Sequence, residues 1–439
     1  MLLFFSCHAN SLELLLWHSF DGPLGKEFIR IVESFNQRPS IKASNIQIIP
    51  KYKGDYETVL KLGMESLHTD NAPHIIQIFE MGSLAMQADP KNYVALNQLS
   101  EKPSRQLLPE RFVPALQDYY KNRHCEGMCS LPFAASSIVT FYNVEGIRRL
   151  GVSFNEFPNT WEGFEALALK LKAKGAKKVL ASGWLSSHHL EQLGAWHNQA
   201  VATEGNGIDG DGPKLRVNNE FFRHHLQKLS EWFQNGIFSL ASADQAEKAF
   251  AEGDVLILTQ NANRLPRLEE LVGEKFQIGV APLFYWKQYV SSPKNTLAGG
   301  SSLWVLPGHS KEEYAAIQEF FEYLVSEDVQ SDWHRSTCYL PVVQGVREKL
   351  EKENYYSSTL HGKTSRIAMD SFLKNTPQEY SRGILLPDFP KIRAVIVQEM
   401  KQAIKRKKTS TEALEQINRL GNRIMCGLGG YECDEAKAS

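Results

Sequence analysis

The sequence predicts an α/β protein built as two lobes, and three observations carry that prediction. Apolar strand-like runs alternate with amphipathic helical stretches, the pattern of a largely parallel sheet flanked by helices. The alternation is made twice, with different content in each half of the chain. With 439 residues there is room for two or three domains at about 150 residues each, and each is large enough to bury its own core.

In chain order, Ser11 to Phe20 (SLELLLWHSF) reads as a strand, and Gly22 turns the chain into a helix that places Phe28, Ile29, Val32 and Phe35 at helical spacing. Ile46 to Pro50 is a second strand and Tyr56 to Ser66 a second helix. His74 to Phe79 (HIIQIF) is nearly continuous in apolar residues, as a strand buried on both faces must be. The second lobe is read from Ser137 to Tyr142, a helix around Thr160 to Lys172, and strands at Lys178 to Ser182, Val255 to Thr259 and Phe276 to Ala281. Its helix is punctuated: Thr160 is the N-cap, Trp161, Phe164, Leu167 and Leu171 are the buried stripe, and Gly175 stops it. Thr409 and Glu412 are spaced as a capping box, so the chain ends on helices. Lys405 to Lys408 is a basic run at a helix end, where it complements the helix dipole.

Composition excludes several classes. Hydrophobic residues make up 42% and charged residues 23%, which rules out disorder, collagen and a small disulfide scaffold. Forty-nine basic against 50 acidic side chains leave a formal charge of −1, so no overall field gathers nucleic acid or anionic lipid. No apolar run approaches the roughly 18 residues of a membrane-spanning helix. Residues 1–10 look like the remnant of a signal peptide cut near Ala9, although no Lys or Arg precedes the apolar stretch. Phe4, three residues before Cys7, is wrong for a lipidated cysteine.

Six cysteines are present: Cys7, Cys125, Cys129, Cys338, Cys426 and Cys433. The pairs Cys125/Cys129 and Cys426/Cys433 are spaced to close small loops in an oxidising compartment, leaving Cys338 free; buried, unreactive thiols are the alternative for all six. His124 abuts Cys125, but no second CxxC or HxxxH follows to complete a zinc site. Gly205, Gly207 and Gly210 match a dinucleotide-binding turn by letter, yet Asp211, Gly212 and Pro213 stand where its helix must begin. Gly362-Lys363-Thr364 resembles the end of a P-loop with Ser357 in place of the first glycine and no strand before it. HExxH, GxSxG and the kinase motifs are absent. No catalytic residue, metal or cofactor is therefore expected.

Four segments together resemble the extracellular solute-binding proteins of ABC transporters, the family that includes the maltose-binding protein. They are Trp17-His18-Ser19 with Gly25-Lys26-Glu27, Tyr52-Lys53-Gly54-Asp55-Tyr56, Asn71-Ala72-Pro73 leading to Glu80, and Phe141-Tyr142-Asn143 with Thr160-Trp161-Glu162. Further motifs are similar to those of the members that bind sn-glycerol-3-phosphate: Ala181-Ser182-Gly183-Trp184, Gly299 to Trp304, Trp333-His334 with Tyr339-Leu340-Pro341, and Pro390 to Arg393. The likeness runs from about Trp17 to Arg423.

That resemblance implies a type II periplasmic-binding-protein fold, two α/β lobes with a hinge, ligand held in the cleft and handed to a membrane permease with its ATPase. It implies a periplasmic, non-catalytic, monomeric receptor with no nucleic-acid partner. The lobes expected are 11–135 plus 301–326, and 136–300 plus 327–439. The binding set implied is Tyr56, Glu80, Ser136, Gly300, Tyr339 and Arg393, with Trp184 as an apolar wall and Asn261 where the pattern has serine. Arg393 offers a planar fork to phosphate oxygens, Ser136 and the Gly300 N–H further donors, Glu80 an acceptor for glycerol hydroxyls, and Tyr56 and Tyr339 amphipathic faces. Asn261 keeps hydrogen-bonding capacity, while Ser187 replaces a second tryptophan and leaves room beside His188 and His189. The ligand implied is sn-glycerol-3-phosphate, captured in the cleft between the lobes, and the alternative that Ser187 opens is a substituted phosphate, a glycerophosphodiester such as glycerophosphocholine. An oligosaccharide on the same fold, and a hydrolase using cleft carboxylates, are the remaining alternatives.

Overall fold

The computed structural model describes residues 11–100, 107–120, 127–153, 156–375 and 379–427. The expected signal remnant and Cys7, Cys125 and Cys433 lie outside the described residues. Among the described residues ten strands are formed: β1 Leu12–His18, β2 Ile46–Tyr52, β3 Ile75–Phe79, β4 Leu131–Ser136, β5 Ile138–Asn143, β6 Lys178–Ser182, β7 Phe238–Ser239, β8 Val255–Asn261, β9 Ile278–Ala281 and β10 Gly299–Val305. They make two five-stranded sheets, ordered β2-β1-β3-β10-β4 and β7-β6-β8-β5-β9.

The chain divides into two compact units. The first comprises Met1–Ala135, Gly300–Trp333 and Pro341–Arg347; the second Ser136–Gly299, His334–Leu340 and Glu348–Ser439. The first unit thus extends past Ser326 to Trp333 and takes in a short later return, and Gly300 belongs to it. Five passages of chain join the units, where the sequence suggested three.

In the first unit β1 runs parallel to β2 and β3, while β10, arriving from the second unit, pairs antiparallel to β3. The sheet is therefore mixed. All of β3 is buried, as its unbroken apolar run requires. The helix Gly22–Asn36 buries Leu24, Phe28, Ile31, Val32 and Phe35; Ile29 is only half-buried and Ile31 takes the core position. Phe28 packs with Phe20 and Phe133, and Trp333 stacks on Phe133 with ring centroids 4.9 Å apart.

The second unit repeats the scheme: β6 lies parallel to β7 and β8, and β5 runs antiparallel to β8 and β9. The helix Trp161–Ala173 begins where Thr160 caps the Gly163 N–H at 3.1 Å. It buries Trp161, Phe164, Leu167 and Leu171, and the Trp161 and Phe164 rings pack against Trp232 and Phe284, Trp161 also against Trp286. Burying an aromatic of this size stabilises by about 3 kcal/mol or more. Thr409 and Glu412 form the capping box of the helix Ser410–Cys426. The glycines at 205 and 207 lie in a left-handed turn, both at positive φ, and Gly362 sits in the first turn of the helix Leu360–Phe372, so neither motif builds a phosphate loop. Cys129 and Cys426 are each disulfide-bonded, and Cys338 is free and buried. Among the described residues no helix is long and apolar enough to cross a membrane.

Candidate functional site

The carboxyl ends of neighbouring parallel strands are where α/β sheets leave backbone groups and loops available for ligands, and six of the eight residues singled out above lie at or just beyond strand ends or are hydrogen-bonded to residues there, Tyr339 and Arg393 being the exceptions. In the first unit, Asp55 caps the helix Tyr56–Ser66 by accepting the Thr58 N–H at 2.9 Å. That cap places Tyr56 at the first helical position, where its ring stacks on Phe79 at 5.4 Å and 16°. The next residue, Glu80, accepts the Gly300 N–H at 3.2 Å. Tyr56, Glu80 and Gly300 are therefore assembled together at the end of β3.

The Gly300 N–H is directed at the Glu80 carboxylate, so its observed role is to hold that acid rather than to present a donor to an anion. The residue must be glycine for a separate reason. Its φ is +114°, and a Cβ there would stand 1.7 Å from the Ala134 carbonyl oxygen. Beneath it, the Gln77 side chain accepts from the Ser19 N–H at 2.7 Å and donates to the Ser301 hydroxyl at 2.6 Å. Gln77 is fully buried and ties β1, β3 and β10 at their site ends. Its signal in the sequence is the lone amide inside the apolar run HIIQIF, a residue the family motifs do not include.

In the second unit, β6 and β8 end side by side, Ser182 opposite Thr259. The Gly183 N–H donates to the Thr259 carbonyl at 3.0 Å, and a Cβ on Gly183 would meet the Gln260 amide at 2.3 Å. Gln260 holds the Asn261 N–H at 2.9 Å and donates to Glu247. Glu247 is entirely buried and is satisfied by Arg264 and Arg267. Such a carboxylate stays tolerable only while its cations remain. Ser136, also buried, donates its hydroxyl to Asn263 at 2.9 Å, and the Ala262 N–H donates to the Ser137 carbonyl. Ser136 and Asn261 thus stand at one end of the sheet with Gly183 and Trp184. Trp184 is 48% exposed, a large apolar face left open.

From Trp184 the chain enters a wide helical turn at Ser187–Glu191, opened by the His188 N–H donating to the Trp184 carbonyl at 2.8 Å. Its last residue, Glu191, is the partner of Arg393: Nε donates to Oε1 at 2.8 Å and Nη2 to Oε2. Ser186 donates to the same Oε1 at 2.8 Å. Arg393 projects from the first turns of the helix Phe389–Ile404. The fork expected to grip phosphate is in this structure engaged edge-on with a carboxylate, and Glu191 was not foreseen from the sequence because it lies 202 residues away. Next to the pair, His188 accepts or donates through Nδ1 to Ser182 at 2.9 Å; burial, His189 and the Arg393 charge all hold its pKa well below the usual imidazole range. Tyr339 is buried, its N–H donating to the Thr337 hydroxyl and its carbonyl accepting from His334 at 2.5 Å.

One cluster in the first unit has the composition of a metal site: donor atoms of His74, His309 and Glu313 lie within 4.8 Å of one another. The geometry suits a hydrogen-bonded pair instead. The Leu15 N–H donates to His74 Nδ1 at 3.1 Å, which places the proton of the neutral ring on Nε2, 3.1 Å from Glu313. The two imidazoles are stacked 4.0 Å apart at 16°, so their in-plane lone pairs cannot converge on one ion.

The model of bacterial extracellular solute-binding proteins matches residues 31–358. The chain belongs to this family. It is 32% identical over 426 residues to the sn-glycerol-3-phosphate-binding periplasmic protein UgpB of Yersinia pestis, covering 96% of this chain and 94% of that one. To the protein of the same name from Escherichia coli strain UTI89 it is 31% identical over 410 residues, 93% and 91% of the two chains. Among solved structures, UgpB from Mycobacterium tuberculosis in complex with glycerophosphocholine superposes with a TM-score of 0.77 at 16% identity, over 94% of this chain and 98% of that one. The GacH receptor of Streptomyces glaucescens, solved unliganded and with acarbose, gives 0.75 at 14% identity, over 95% and 99%. At those identities the structural likeness establishes the two-lobed α/β fold. The protein is a periplasmic solute-binding receptor of an ABC importer.

Proposed function

We propose that the solute is a glycerol phosphate ester, that is sn-glycerol-3-phosphate or a glycerophosphodiester such as glycerophosphocholine, and that the receptor delivers it to its permease unaltered. The observation that carries this reading is the identity with sn-glycerol-3-phosphate-binding relatives, sustained over more than nine-tenths of both chains. The chemistry of the two residue sets supports it. In the first unit, the Glu80 carboxylate, held by the Gly300 N–H, accepts hydrogen bonds from a polyol, and Tyr56 supplies an aromatic face with a hydroxyl tip. In the second, Arg393 supplies the cation for a phosphate, Asn261 and Ser136 lie at the adjoining strand ends, and Trp184 offers apolar surface. Ser187, three positions after Trp184 at the start of the turn Ser187–Glu191, is small, which leaves room for a substituent on the phosphate.

Isothermal titration of the mature protein with sn-glycerol-3-phosphate and with glycerophosphocholine tests the reading. Micromolar binding of at least one, about −8 kcal/mol, is the expected result, with the ligand recovered intact by phosphorus NMR after overnight incubation. Arg393→Ala is expected to lose that binding while keeping the circular dichroism spectrum. Absence of heat with both esters, or release of free phosphate, overturns the proposal.

A further inference from the structure

We propose that Glu191 sets the charge preference of this receptor: by neutralising Arg393 it favours a phosphodiester monoanion over a phosphomonoester dianion. This rests on the glycerol-phosphate-ester reading above and names the residue that would choose within that class.

Arg393 is the single cation among the eight residues, and Glu80 contributes an anion. Two of the guanidinium nitrogens, Nε and Nη2, are committed to the two oxygens of Glu191. The Glu191 side chain is 4% exposed and that of Arg393 19%. A carboxylate buried to that degree is costly to leave unpaired, so the fork does not swing away to clamp a ligand with both arms. Ser186 donates to the same carboxylate, which fixes its orientation. His188, the nearest ionisable group on the same turn, is hydrogen-bonded to Ser182 and buried, and its lowered pKa keeps it neutral at physiological pH. The pair therefore offers a phosphate hydrogen bonds and a dipole in place of a full positive charge.

A phosphomonoester carries about −1.5 to −2 charges at pH 7, and a diester carries one. Next to a neutral pair, the extra charge of the monoester is repelled by Glu191 as well as attracted by Arg393, so it gains less than it would from an unpaired guanidinium. Glu191 is a positioning residue, acting on the ligand through Arg393. If it served only to pin the turn at Ser187–Glu191 to the helix Phe389–Ile404, its loss would weaken every ligand alike; a charge role changes the ratio between ligands.

The test is titration of the full mature protein with sn-glycerol-3-phosphate, its phosphate monomethyl ester and glycerophosphocholine. Wild-type protein is expected to bind the methyl ester at least as tightly as the monoester. Glu191→Gln is expected to shift the monoester-to-diester affinity ratio toward the monoester by about tenfold, and Glu191→Asp to restore the wild-type ratio. Equal weakening of all three ligands in Glu191→Gln overturns the inference while leaving the functional reading intact. So does wild-type protein that binds the monoester tenfold better than its methyl ester, a measurement that decides the matter even if Glu191→Gln fails to fold. Binding of none of the three overturns the functional reading itself.

Discussion

Gly300 shows how one residue can be demanded by its surroundings more than by its ligand. A Cβ there would lie 1.7 Å from a backbone oxygen in a left-handed conformation, and backbone cannot move aside as a side-chain tip can. Gly300→Ala is expected to destabilise the protein by about 3 kcal/mol, read as a lower urea midpoint. Gly175→Ala is the control: its φ is +94° but nothing lies within 4 Å of an added Cβ, so only the backbone term of about 1–2 kcal/mol applies. Equal losses in the two variants would rule out the steric account. Residue types were legible in the sequence where a motif carried them, as with Tyr56, Glu80 and Arg393. Their partners were not. The Gly300 N–H was expected to face an anion and instead holds Glu80. Arg393 was expected to await phosphate and instead engages Glu191.

At the scale of elements, the local code was read well. Thr160, the apolar stripe from Trp161 to Leu171 and the Thr409/Glu412 capping box all formed as the spacing predicts, because a cap or a helical stripe involves groups within one or two turns. Thr160→Ala is expected to cost about 1 kcal/mol, measured as a shift of the unfolding midpoint, and Thr160→Ser to recover most of it. The strand directions were harder. A largely parallel sheet was expected from the alternation of strands and helices, yet β10 and β5 run antiparallel to their neighbours. β5 follows a passage of chain between the units and β10 contains one, and a strand that arrives this way has no crossover helix to force it parallel.

Across the whole molecule, the buried histidines set the acid limit. Trp286 Nε1–H donates to His225 Nδ1, so the proton of His225 lies on Nε2 and points to His189 Nδ1 at 3.0 Å. Burial lowers the pKa of His189 to about 3 and those of His197, His334 and His18 to about 4. In the unfolded chain each titrates near 6.5. Above pH 6.5 both states are neutral and these groups contribute nothing; below it the unfolded state takes up protons that the folded state refuses. Stability is thus lost progressively as pH falls from about 6.5 toward 4, by about 2 kcal/mol per imidazole at pH 5. Urea midpoints measured from pH 7.5 to 5 are expected to fall steeply below 6.5; a flat profile would show that these rings are accessible to protons in the folded state.

The two-lobe α/β class, the helix caps and stripes, the buried strand at β3, and the family motifs from Trp17 to Arg393 are all legible along the chain. All of these rest on short-range periodicity or on residues adjacent in the chain. Folding alone brings Glu191 to Arg393 from 202 residues away, sets Gln77 between Ser19 and Ser301, and gathers Gln260 and two arginines on Glu247. The physical reason is that a buried charge or amide is satisfied by whatever polar group the fold brings within about 3 Å, and chain order does not record which group that is.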